Sequence, residues 1–163
     1  MKRLVIMRHG KSSWAEFGTS DFDRALKPRG IKDSGIIAEE LVKQGILPEL
    51  IISSPANRAK STAHLVAQGL TIPLEKIVLD ATLYGACLYD VLRIVTSLND
   101  HLATVMLFGH NPTFTDVVNH FGNPMLHLPT CGCVGFDLET EEWRQLNKAT
   151  IFNSFQIIPS ELR

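Results

Sequence analysis

Three short stretches hold the side chains best suited to chemistry. Arg8-His9-Gly10 directly follows the apolar run Leu4-Val5-Ile6-Met7. Ser53-Ser54 follows Leu50-Ile51-Ile52, with Arg58 a little further on, and Gly109-His110-Asn111 follows the run from Thr104 to Phe108. Arginine offers a planar fork of donors that matches phosphoryl oxygens. A neutral imidazole is a nucleophile toward phosphorus, and a glycine beside it lets the backbone approach a ligand closely. The tripeptide alone says little, because a chain of this length contains one now and then by chance. Its weight comes from the company of Arg58 and His110.

These side chains meet only if the apolar runs ahead of them are neighbouring parallel strands, whose carboxyl ends are where open α/β sheets bind ligands. The pattern predicts that arrangement. Residues 3 to 8 read as a short buried strand, 50 to 52 as a second, 77 to 79 as a third and 104 to 108 as a fourth. Helices are predicted between them. One opens at Lys27-Pro28-Arg29-Gly30, turns Ile31, Ala38, Leu41 and Val42 to one face and ends at Gly45. A second is capped by Ser54 with Pro55 at its first position, carries Ala59, Ala63 and Val66 inward and stops near Gly69. A third carries Leu88, Val91, Leu92, Val95 and Leu98, and a fourth is opened by Asn111-Pro112 and runs to about His120. Cys133 to Leu138 and Ala149 to Ile158 read as an antiparallel pair joined by the acidic turn at Glu139 to Glu142. The expected fold is α/β: a three-layer αβα domain over residues 1–163, with a mostly parallel central sheet and an antiparallel C-terminal strand pair.

Composition narrows the function classes. The 163 residues, 45% hydrophobic and 20% charged, suit one globular domain with a real core. A net charge of −1 argues against a nucleic-acid binder working through a basic stripe. No apolar stretch reaches the length of a membrane span, and the N-terminus lacks a signal-peptide pattern. Three cysteines, an odd number, suit a reducing compartment. The expectation is a cytoplasmic monomer without nucleic-acid or membrane partners.

The chemistry follows from the residue types. His9 would attack phosphorus while Arg8 and Arg58 hold the equatorial oxygens and stabilise the charge developing there. His110, in its protonated form, would donate to a phosphoryl oxygen. His9 must be neutral to attack, and neighbouring arginines penalise an added positive charge on it. Two helix N-termini, after Ser54 and after Asn111, would add oriented N–H groups. No metal or cofactor is expected, since the His and Asp residues show no ligand-like spacing.

Lys11, Ser12 and Arg24 are further candidates for binding phosphate or substrate. For Lys11 the competing reading is a solvated loop lysine. For Arg24 it is an ion pair with Asp21 or Asp23 that tethers the long polar segment from Lys11 to Arg29. Trp14 either lines the pocket mouth or anchors that loop. Cys131 and Cys133 are expected on one face of a strand as small buried residues. His64, His101, His120 and His127 are expected to be structural or exposed.

Met7-Arg8-His9-Gly10-Lys11-Ser12, Ser53-Ser54-Pro55-Ala56-Asn57-Arg58-Ala59-Lys60-Ser61-Thr62-Ala63 and Gly109-His110-Asn111-Pro112 resemble, in order and spacing, the three signatures of the histidine phosphatase (phosphoglycerate mutase-like) superfamily. The short length and Asp21-Phe22-Asp23-Arg24-Ala25-Leu26 look most like its SixA-type phosphohistidine phosphatases. The resemblance implies a phosphoglycerate mutase-like fold with His9 as nucleophile and Arg8, Arg58 and His110 completing the phosphate pocket. Mutases and many phosphomonoesterases of that superfamily carry a glutamate general acid in a Leu-x-Glu setting. Here the corresponding stretch is Leu83-Tyr84-Gly85-Ala86, without a carboxylate. An alkoxide leaving group needs a positioned acid, whereas the imidazole of a phosphoramidate departs with a proton it already carries. Asp80, Asp21 or Asp23 are the possible substitutes.

The expected activity is that of a cofactor-independent phosphatase working through a covalent phosphohistidine at His9, with phosphohistidine on a protein domain as substrate. The alternatives are a phosphomonoesterase acting on a small phosphorylated metabolite such as a sugar or nucleotide phosphate, and a catalytically weak module that binds phosphate or a phosphoprotein.

Overall fold

Each apolar run of the sequence becomes a strand of a single six-stranded sheet. The structure is a computed structural model that describes residues 1–14, 17–122 and 127–163. In chain order the elements are β1 (Lys2–Arg8), α1 (Pro28–Lys43), β2 (Leu50–Ser53), α2 (Asn57–Gly69), β3 (Ile77–Leu79), α3 (Leu88–Thr96), β4 (Thr104–Gly109), α4 (Thr113–Phe121), β5 (Cys133–Glu139) and β6 (Thr150–Ile157). The strands lie in the order β3-β2-β4-β1-β5-β6. β3, β2, β4 and β1 are mutually parallel, and β5 runs antiparallel to both β1 and β6.

The central strands are apolar throughout because helices cover both faces. Alternate residues of β1 and β4 serve opposite layers. Val5, Met7, Met106 and Phe108 pack with Ile37 and Leu41 of α1 and Ala63 and Val66 of α2. Leu4, Ile6, Val105 and Leu107 pack on the other side with α3, α4, Trp143 and Leu146. The mixed sheet sandwiched between helices is the α/β architecture anticipated from the sequence.

Local details depart from expectation in five places. Ile31 and Val42 of α1 are exposed, and the buried stripe runs instead through Gly30, Asp33, Ser34, Ile37, Ala38 and Leu41. Asp33 is tolerated inside because Arg163 donates to both of its carboxylate oxygens, at 2.9 and 3.2 Å. α2 begins at Asn57 rather than beside Ser54, and α4 at Thr113 rather than at Pro112. Cys131 precedes β5 with φ at 60°, so it does not share a strand face with Cys133, although both thiols are buried. The connection from β5 to β6 is more than an acidic turn, since Trp143–Lys148 forms a 3-10 helix that seals one core layer. Gly45 ends α1 in the left-handed region, at φ 68°, as a terminator should.

The segment from Lys11 to Arg29, of which residues 15 and 16 lie outside the described residues, is pinned to the domain in several places. Ser12 bridges to Leu26, and Asp21–Asp23 forms a short 3-10 turn with Ser20 as its cap. Gly10 and Gly30 meet backbone to backbone. A Cβ on Gly30 would sit 2.4 Å from the Lys11 carbonyl oxygen, closer than any side chain allows.

Candidate active site

The sheet order puts the three chemical stretches side by side. β4 lies between β1 and β2, with Arg8 in register with Gly109 and Ser53 with Phe108. His9 continues the ladder by donating its N–H to the Gly109 carbonyl at 3.1 Å, and Ser54 donates to the Phe108 carbonyl at 3.0 Å. The strand ends therefore open onto one cleft of about 200 Å³, lined by Arg8, His9, Lys11, Ser12, Trp14, Arg24, Arg58, His110, Asn111 and Thr130. The four principal residues and the three secondary candidates all reach it.

His9 is 7% exposed and sits at the cleft base. Its Nδ1 lies 2.8 Å from its neighbour's carbonyl, on Gly10, which can only accept, so Nδ1 carries the proton and Nε2 is left with the free lone pair. Burial, then His110, Arg58 and Arg8, push its pKa down to about 3 against the opposing Gly10 bond. The arginines thus keep it neutral as anticipated, but desolvation does more. The Gly10 N–H in turn donates to Thr62 Oγ1 at 2.9 Å, and that hydroxyl donates to the Arg58 carbonyl at 2.7 Å. Thr62 therefore ties the histidine loop to α2.

Arg8 donates through Nη1 to the Leu128 carbonyl at 3.1 Å, an oxygen that also accepts from Asn111 Nδ2 at 2.8 Å. Its buried Nε has no partner among the described residues. His110 lies with its ring centroid 5.3 Å from that of His9 and holds Ser54 Oγ at 2.8 Å through Nε2. Its Nδ1 is likewise buried and unpartnered among the described residues. Burial, then Arg58, lower the His110 pKa to about 4, so the free site holds it neutral rather than protonated. Both nitrogens belong to residues that line the cleft.

Arg58 and Arg24 share one carboxylate. Asp21 accepts from Arg58 Nη2 at 3.1 Å and from Arg24 Nη1 at 3.0 Å, and its carbonyl takes Arg58 Nη1 at 2.7 Å. Tyr84 donates its phenol to the same carboxylate at 2.7 Å. The Tyr84 bond, joined by the two guanidinium groups and opposed by burial, holds Asp21 far below the ordinary carboxylate range. The Tyr84 hydroxyl is correspondingly raised and stays protonated. Arg24 also donates to the Ser13 carbonyl and to Ser12 Oγ, both at 2.8 Å, and Trp14 stacks over its guanidinium at 4.0 Å. Arg24 therefore tethers the loop through its ion pair with Asp21, and it also lines the cleft. Ser12 holds Arg24, Lys11 stands exposed at the rim, and Trp14 both lines the mouth and covers Arg24.

The other carboxylates are occupied elsewhere. Asp80 caps the turn at Thr82, and Asp23 accepts from Ser20 Oγ. Residue 85, where the superfamily's acid would stand, is a glycine at φ 78°. Asp21 is the ion-pair partner expected for Arg24. Tyr84, Ser54 and Thr62 support the cleft without having been singled out for it, and of these Ser54 and Thr62 lie inside a recognisable signature.

A family model for the histidine phosphatase superfamily (branch 1) matches residues 4–82, which carry Arg8, His9 and Arg58. Over that stretch the chain is similar to the histidine phosphatase superfamily. Its fold is phosphoglycerate mutase-like and its chemistry is that of a hydrolase acting on phosphate groups. The structure of SixA from Agrobacterium tumefaciens superposes with a TM-score of 0.79 at 27% identity, covering 94% of this chain and 97% of that one. That of the protein histidine phosphatase SixA complexed with tungstate gives 0.82 at 24% identity over 99% of each chain, a likeness of fold. An uncharacterized chloroplastic protein of Arabidopsis thaliana is 26% identical over 88% of this chain and 70% of its own length. An uncharacterized Mycobacterium tuberculosis protein is 33% identical over 66% of this chain and 64% of its own, so the chain spans about two thirds of these relatives.

Proposed function

We propose that residues 1–163 form a single domain that hydrolyses phosphohistidine on a protein by way of a covalent phosphohistidine at His9. His9 Nε2 forms the new P–N bond as the P–N bond to the substrate imidazole breaks, and that imidazole leaves with the proton on its ring. Arg8 and Arg58 hold the equatorial oxygens, aided by Arg24 and by a donor on His110. Water then attacks phosphorus as the P–Nε2 bond breaks, His9 departs as the neutral Nδ1–H ring, and the water's protons stay on the released inorganic phosphate or pass to solvent.

The observation that carries the choice of substrate is the state of Asp21. Among the described residues it is the carboxylate in contact with the cleft's arginines, and Tyr84, Arg24 and Arg58 keep it ionised. A carboxylate so held is a poor proton donor to an alkoxide, while a phosphoramidate needs none. Likeness to SixA structures adds support.

The test compares phosphate release from a phosphohistidine-bearing domain, phosphoserine peptides and sugar phosphates. The expected result is a kcat/KM for phosphohistidine at least ~100-fold above the others, the order of rate that a missing general acid costs a phosphomonoester. Comparable or faster turnover of sugar or nucleotide phosphates would replace this reading with a small-molecule phosphomonoesterase. Phosphate binding without turnover of any substrate would make the chain a binding module.

A further inference from the structure

Ser54 is completely buried at the end of β2, and its hydroxyl has two contacts. Its oxygen accepts the Ala56 N–H at 3.2 Å, and it lies 2.8 Å from His110 Nε2. A hydroxyl carries a single proton, and a buried one left without an acceptor is rare because it forfeits its hydration for nothing. Among the described residues, His110 Nε2 is the acceptor within reach of that proton. If the ring instead donated from Nε2, the Ser54 proton would be left without an acceptor among the described residues.

We infer that Ser54 is a positioning residue that fixes His110 as the neutral Nδ1–H tautomer, turning Nδ1–H into a donor for a phosphoryl oxygen. This rests on the phosphatase reading of the cleft, since the phosphoryl group is what Nδ1–H would meet. It replaces the expected imidazolium by a donor that adds no positive charge beside Arg8 and Arg58. Nδ1 of His110 and Nε of Arg8 are the two buried side-chain nitrogens without partners among the described residues, and both line the same cleft. The burial and Arg58 that disfavour the charged ring are consistent with a neutral donor. The Ser54 side chain acts only through His110 and touches no reacting atom.

The decisive readout is the ¹⁵N signature of the His110 ring near neutral pH, on the intact protein. The expected result is a protonated Nδ1 and an unprotonated, hydrogen-bonded Nε2 in the unaltered protein. Ser54→Ala should move the signature toward the Nε2–H form and weaken binding of inorganic phosphate by about tenfold, the loss of roughly one hydrogen bond. A ring protonated on Nε2 in the unaltered protein overturns the inference, whatever the variant does. So does a folded Ser54→Ala protein with an unchanged signature and unchanged phosphate binding. An unaltered protein that shows the Nδ1–H form yet binds no phosphate would leave the tautomer assignment standing and overturn the phosphatase reading instead.

Discussion

Asp21 and Arg58 are joined twice, carboxylate to Nη2 at 3.1 Å and main-chain oxygen to Nη1 at 2.7 Å. One residue of a loop turn thereby sets the orientation of a guanidinium on α2. Tyr84 holds the same carboxylate, with its ring 5.7 Å from His110 and 5.2 Å from Phe22. The pocket's cations are aimed before any ligand arrives, which is how an enzyme avoids reorganisation during reaction.

Asp21→Ala should therefore lower kcat/KM by about 10- to 100-fold, as expected for misplaced binding groups. Thermal stability should hardly move, because the side chain is half exposed. Tyr84→Phe leaves the charge in place and removes one bond, so its loss should be smaller, about 2- to 5-fold by the worth of a hydrogen bond. Steady-state kinetics and a melting curve on both variants check the ranking; Tyr84→Phe matching Asp21→Ala would contradict it.

Arg58→Lys retains the charge but not the fork. A lysine cannot hold Asp21 at two points and still face two phosphoryl oxygens. The expected loss is about 100- to 1,000-fold in kcat, comparable to removing one oxyanion donor. Single-turnover kinetics would show the deficit in the chemical step.

His9 and His110 make stability depend on pH in a definite direction. Both are depressed, to about 3 and about 4, from 6.5. Below about pH 6.5 the unfolded chain takes up protons on both rings while the folded one does not, so stability falls as acidity rises toward the folded values. Above about 7 the two rings contribute no slope. Denaturant titrations between pH 4 and 8 should show stability declining below roughly 6.5, and His9→Asn combined with His110→Asn should flatten part of that slope.

Gly30→Ala tests the packing beneath the histidine loop. The new methyl would press on the Lys11 carbonyl at 2.4 Å and on its nitrogen at 2.9 Å. Overpacking of this kind costs about 1–3 kcal/mol. Because the displaced backbone follows His9 by two residues, activity should fall along with the denaturation midpoint.

The strands and the four principal pocket residues were readable in the sequence because each relies on a local signal. An apolar run followed by a polar residue marks a buried parallel strand and its functional end. The inward face of α1 is legible at Ala38 and Leu41 but not at its other positions, for a physical reason. It is built partly from Gly30, Asp33 and Ser34, and Asp33 is buried only because Arg163 reaches it from the far end of the chain. Ser54-Pro55 resembles a helix start, yet the Ser54 hydroxyl is committed to Ala56 and His110, and the helix opens later. The bond between Asp21 and Tyr84 spans 63 residues with no motif linking them, so only the folded chain shows it. The neutral state of His110 was likewise hidden, since burial, the larger cause, cannot be read from neighbours in sequence.

The central claim is that phosphorus passes through His9. The direct measurement is rapid acid-free quench of a single turnover with a phosphohistidine domain, followed by mass spectrometry of the peptide bearing residues 3 to 11. An alkali-stable, acid-labile phosphoryl group on His9, absent from His9→Ala, is the expected result. Full turnover by His9→Ala, or a phosphoryl group trapped on any other residue, would contradict the account.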